Sequence, residues 1–113
     1  MYKCILLIRN DIKMSKGKVI AQCGHAIVNM MNDINKKTKK EWMNQGEKIV
    51  SVKAPTIDDI YQIQDICKKN KIYSYIVRDA GKTQVDPNTE TVCIIGPEKE
   101  EILNQFTNHL KLY

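Results

Sequence analysis

The stretch from Lys13 to Ala26, KMSKGKVIAQCGHA, carries the side chains of this chain best suited to chemistry. Lys18, Gln22, His25 and Asn29 recur there at helical spacing. On a helix turning about 100° per residue, these four side chains fall within about 60° of arc. A cation, an amide and an imidazole would then share one face, near a helix start where the backbone dipole favours negative charge. Such a set suits an anion, or the oxyanion of an ester under attack. The plainer alternative is a solvated stripe, which amphipathic helices ordinarily show.

Elimination narrows the chemistry. Cys23 and His25 are two residues apart on the same helix, so they point to opposite sides and cannot form a nucleophile–base pair. Ser15, Ser51 and Ser74 stand in no nucleophile-elbow motif. Ser15-Lys16-Gly17-Lys18 lacks the spacing of a Walker-type phosphate loop. The four cysteines, Cys4, Cys23, Cys67 and Cys93, form no close pair and fall in apolar runs. They read as buried free thiols in a reducing compartment, not as a zinc site. What is left is water activated by side chains without a covalent intermediate, with Asp79, Thr83 and Gln84 as further polar groups.

The elements that must position these groups read as follows. Cys4 to Ile8 is a buried strand. Ser15 caps a helix whose apolar positions are Val19, Ile20, Cys23, Ala26, Ile27, Met30, Met31 and Ile34. Gly17 and Gly24 interrupt it, each at a cost of about 1 kcal/mol against alanine. The glycine before His25 would admit a ligand or another segment closely. The run Lys36-Lys37-Thr38-Lys39-Lys40 reads as a basic connector, and Glu41 to Gln45 as a short helix stopped by Gly46, with Trp42 packed. Lys48 to Lys53 is a second strand. Thr56 and Asp59 form a capping box for a helix buried through Ile57, Ile60, Ile63, Ile66 and Cys67. Ile72 to Val77 is a third strand, followed by a polar loop from Arg78 to Thr89. Thr91 to Ile95 is a fourth, and Gly96-Pro97 reads as the start of a last helix.

This order predicts an α/β fold: a single domain over residues 1–113, with a mixed four-stranded sheet covered by helices on both faces. A net charge of +5 suits a polyanionic partner. No apolar run approaches the roughly 20 residues that cross a bilayer, and the N-terminus resembles no signal peptide. The expectation is a cytoplasmic protein without a membrane partner.

Asp11 to Ala26 closely resembles the hallmark segment of the second class of peptidyl-tRNA hydrolase, found in archaea and eukaryotes. Arg78-Asp79-Ala80-Gly81-Lys82-Thr83-Gln84 resembles its second hallmark, and Gly96-Pro97 with the tail His109 to Tyr113 its closing pattern. The resemblance covers essentially the whole chain. It implies a compact α/β domain that cleaves the ester between a peptide, or N-blocked amino acid, and tRNA, with no metal or organic cofactor. It further implies a functional set of Lys18, Gln22 and His25 from the first motif, with Asp79, Thr83 and Gln84 from the second. This chain has Lys82 where the family often has arginine, Gly24 where serine is common, and Asn108 where glycine is common. Lys82 thereby loses a bidentate fork for phosphate.

The mechanism expected from this set has His25 or Asp79 taking a proton from water, Lys18 stabilising the oxyanion and Thr83 holding the carboxylate or the water. The sequence leaves the choice of base open. Gln22 and Gln84 would contact the substrate, and Lys16, Lys36, Lys37, Lys39, Lys40 and Lys82 the tRNA backbone. Lys18, His25 and Asp79 lie on no predicted apolar face, so the fold is expected not to need them. A homodimer and protein partners stay open. The competing reading is a tRNA- or protein-binding signalling module that keeps the fold without turnover.

Overall fold

The computed structural model describes residues 1–81 and 86–113. Its elements are β1 (Tyr2–Arg9), α1 (Lys16–Asp33), α2 (Lys36–Asn44), β2 (Ile49–Ala54), α3 (Ile57–Lys69), β3 (Ser74–Arg78), β4 (Glu90–Lys99) and α4 (Glu100–Thr107). The strands form one mixed sheet in the order β2-β1-β4-β3. β1 runs parallel to β2 and antiparallel to β4, and β3 is antiparallel to β4. The expected α/β architecture is the one observed.

Strand periodicity explains the two layers. Successive side chains of β1 point to opposite faces. Ile5 and Leu7 join Ile60, Ile63, Cys67, Cys93 and Leu103 under α3 and α4. Cys4, Leu6 and Ile8 join Val19, Ala26, Met30, Trp42 and Ile94 under α1 and α2. Both faces of β1 are therefore covered, which is why it reads as an unbroken apolar run. Caps set the helix starts: the Ser15 hydroxyl accepts from the Lys18 N–H, Asn35 Oδ1 accepts from the Thr38 N–H, and Thr56 and Asp59 make the expected capping box.

Three expectations need correction. The basic run is no connector: Asn35 caps it directly into α2, which carries all four lysines and ends past Trp42. Ile20 is 72% exposed, because the apolar stripe of α1 is narrower than its composition suggests. Gly96-Pro97 starts no helix but extends β4 to Lys99, through a cis peptide bond, and α4 begins at Glu100. Pro97 has no N–H to give a ladder. It sits where the β1–β4 register shifts between Lys3 and Ile5, an irregularity that excuses it from donating. The tail pairs with the outer edge of β2: the Lys53 N–H donates to the Lys111 carbonyl at 2.8 Å, and the Tyr113 N–H to that of Ser51 at 3.0 Å.

The glycines separate in a testable way. Gly96 has φ +91°, and a Cβ there would meet the Lys3 carbonyl oxygen at 2.7 Å. A Cβ at Gly17 or Gly24 would meet nothing within 4 Å. Gly96→Ala should therefore destabilise by about 2–4 kcal/mol, from the left-handed backbone and the clash together. Gly17→Ala and Gly24→Ala should each stabilise by about 0.5–1 kcal/mol. Urea unfolding of the three variants checks both signs.

Candidate active site

The loop after β1 delivers Ser15 to the start of α1, and the next helical turn places Lys18 facing the far ends of β3 and β4. The Lys18 ammonium there forms an ion pair with Asp79 Oδ1 across more than sixty residues of sequence. Both side chains are buried, with 6% and 1% of their surface exposed. Burial pushes the Lys18 ammonium below its usual pKa. Asp79 Oδ2 also accepts from the Gly81 N–H at 2.8 Å. The Asp79 backbone is held as well: its N–H donates to the Thr89 carbonyl, and its carbonyl accepts from the Asn88 N–H, both at 2.9 Å.

One turn further along α1, Gln22 is 4% exposed, and its Nε2 donates to Thr91 Oγ1 at 2.6 Å. A bulge makes that contact. Val77 pairs with Val92 and Arg78 with Glu90, which leaves Thr91 as the extra residue of β4. Val92 packs in the layer under α1, and the bulge turns Thr91 to the same side. The Thr91 hydroxyl in turn donates to the Val77 carbonyl at 3.4 Å. His25, another turn along, is exposed.

Lys18, Gln22 and His25 line one cleft of about 530 Å³, whose walls also include Ser15, Arg78 and Ala80. Lys18, Gln22 and His25 of the first motif thus share the cleft, and Asp79 of the second is joined to it through its ion pair with Lys18. Lys18 and Gln22 are not the exposed groups their polar stripe suggested, and Asp79 is buried with Lys18. Asn29, the fourth member of the stripe, turns back to donate to the His25 carbonyl. Thr83, Gln84 and Lys82 lie outside the described residues. Lys16 is exposed on the first turn of α1 and borders a different depression, an apolar groove of about 600 Å³ shared with Cys23. Cys23 and His25 do lie on opposite flanks of the helix.

Lys36, Lys37, Lys39 and Lys40 do not join the site. They follow the other end of α1, whose 18 residues span about 27 Å. Thr91 and Arg78 are site residues that motif reading missed. Thr91 looked like an ordinary strand residue, since a one-residue bulge leaves no signature in composition. All four cysteines are free, and burial pushes the thiols of Cys4, Cys67 and Cys93 up to about 12. Such thiols are poor nucleophiles. Among the described residues, no three His, Cys, Asp or Glu side chains converge as metal ligands would. No helix among them is long and apolar enough to cross a membrane.

A family model described as peptidyl-tRNA hydrolase PTH2 matches residues 2–113. The chain belongs to the peptidyl-tRNA hydrolase PTH2 family. A peptidyl-tRNA hydrolase of Methanocaldococcus jannaschii is 41% identical over 97% of this chain and 98% of its own length. One from Haloquadratum walsbyi is 35% identical over 98% and 99%. The mouse protein named peptidyl-tRNA hydrolase 2, mitochondrial, is 42% identical over 99% of this chain, which spans 64% of the mouse protein. The match thus takes in both segments that build the cleft.

Burial separates two kinds of PTH2 site residue. Removing either member of the Lys18–Asp79 pair strands a buried charge, which costs about 3–5 kcal/mol. Lys18→Ala and Asp79→Ala should unfold at clearly lower urea concentration than the parent, whereas His25→Ala, at an exposed position, should stay within about 0.5 kcal/mol of it. Equal midpoints for all three would show that the pair is not buried in solution.

Proposed function

We propose that this chain hydrolyses the ester joining a peptide, or an N-blocked amino acid, to the terminal ribose of tRNA, and that the cleft on α1 is where it does so. The observation that carries the reading is the meeting of Lys18, Gln22 and His25 in one cleft, with the buried Asp79 paired to Lys18. His25 is the general base in this proposal. It opens onto solvent, where a water can reach it. Asp79 already accepts from the Lys18 ammonium through Oδ1 and from the Gly81 N–H through Oδ2, so both its oxygens are engaged.

The steps follow from these positions. His25 takes a proton from water as the water adds to the ester carbonyl. The Lys18 ammonium, held by Asp79, meets the negative charge that develops on the carbonyl oxygen. Collapse of the tetrahedral intermediate breaks the acyl–oxygen bond, and the ribose hydroxyl leaves with the proton returned by His25. Thr83 and Gln84 belong to the same proposal, as partners of the water and the substrate. Only side chains take part, so chelator-treated protein should retain turnover. The reaction is assigned to the cytoplasm.

Hydrolysis of N-acetylaminoacyl-tRNA by the purified protein tests this reading. His25→Ala should lower turnover by about two to four orders of magnitude while the fold persists. A folded His25→Ala protein with near-normal turnover would remove His25 from the mechanism, and an inactive parent protein would favour the binding-module alternative. The lysines of α2 belong to the proposal as contacts to the tRNA backbone. Replacing Lys36, Lys37, Lys39 and Lys40 with alanine should flatten the dependence of log K on log salt by about 0.7–0.9 for each phosphate that is no longer neutralised. An unchanged slope would leave them a solvated helix face.

A further inference from the structure

We infer that Gln22 recognises the amide N–H of the esterified residue, and that Thr91 is the positioning residue that turns the Gln22 carbonyl oxygen toward it. The inference rests on the reading of the cleft as the hydrolytic site. It begins with the orientation of one side-chain amide. Thr91 is fully buried, and its hydroxyl proton goes to the Val77 carbonyl. Its oxygen can therefore only accept, and it accepts from Gln22 Nε2 at 2.6 Å. The Gln22 nitrogen is thus fixed against the sheet and its Oε1 on the opposite side.

Among the described residues, no buried side-chain nitrogen or oxygen lacks a hydrogen-bond partner. Gln22 Nε2 is engaged with Thr91, and no described residue donates to Oε1, so Oε1 reaches the cleft that Gln22 lines. The cleft therefore displays a cation at Lys18 and, one helical turn or about 6 Å along the axis, a bare acceptor. A peptidyl ester offers the complementary pair. Its carbonyl oxygen becomes the oxyanion, and its amide N–H sits two bonds from the carbonyl carbon. An acceptor held at that place by a sheet bulge selects a donor on the acyl residue, since a substrate without one would leave Oε1 dehydrated and unpaired.

The test compares two substrates that differ at one atom. N-acetylalanyl-tRNA has the N–H, and O-acetyllactyl-tRNA has an ester oxygen in its place. Each kcat/KM is divided by the spontaneous hydrolysis rate of the same substrate. Their ratio is then taken within each variant, so any unfolded fraction cancels. The parent protein should favour the amide roughly tenfold. Gln22→Met should bring the ratio close to one. Thr91→Val should move it in the same direction, and Thr91→Ser, which keeps the hydroxyl, should hold it near the parent value. A parent ratio near one, or a Gln22→Met protein that keeps the parent ratio, overturns the inference while leaving the hydrolytic reading intact. A Thr91→Val protein with the parent ratio overturns the role given to Thr91. A parent protein that cleaves neither ester overturns the inference and the reading beneath it together.

Discussion

The ion pair between Lys18 and Asp79 is the constraint around which the molecule is arranged. Taking two charges out of water costs several kcal/mol per ion, and their attraction offsets this only where the geometry is held closely. The fold holds it from both sides. Lys18 stands in the first turn of α1, immediately after a capped start, and Asp79 is gripped through its backbone N–H, its carbonyl and both carboxylate oxygens. An element that let α1 slide along the sheet by a fraction of a turn would separate the charges without releasing them to solvent. The two apolar layers, meeting on opposite faces of β1, oppose that motion.

The bulge in β4 serves the same end by a different route. A regular strand would give Thr91 and Val92 to opposite faces, and Gln22 would lie over an apolar residue with its amide unpaired. The extra residue lets one strand supply an apolar contact and a hydroxyl to the same helix. α1 is thus tied to the sheet by an ion pair at its first turn and a neutral hydrogen bond at its second. The two flanks of the helix then differ in kind. One is the cleft that displays Lys18, Gln22 and His25, and the other is an apolar groove in which none of these groups takes part.

The sequence revealed elements with strong periodicity and failed where a single residue changed the outcome. Four strands, the capping box at Thr56 and the apolar faces of α3 follow directly from alternation and helical spacing. Gly96-Pro97 carried the residues of a helix start, yet the proline occupies a register irregularity inside β4, a tertiary circumstance that local chemistry does not encode. The lysine run read as a connector because such charge runs are usually solvated, and the Asn35 cap with the buried Trp42 makes it a helix. Among site residues, the motifs located Lys18, Gln22, His25 and Asp79 but not their environment. A polar stripe on a helix looks solvated until one knows that the end of another strand covers it.

The lysines of α2 pose an energetic question of their own. Four of the first five residues of this helix are cationic, its first turn has no acid, and its last turn has no base. This arrangement opposes the helix dipole at both ends, at about 0.3–1 kcal/mol for each charge near the N-terminus. The burial of Trp42 and the Asn35 cap are what hold the helix against it. The helix follows the end of α1 opposite Lys18 and lines no part of the cleft. A polyanion as long as tRNA can touch both places at once. Phosphates above α2 would turn the unfavourable charges into binding energy, and that energy would hold the ester end in the cleft. Placing cations where folding tolerates them poorly is consistent with a chain whose substrate is far larger than its reacting bond.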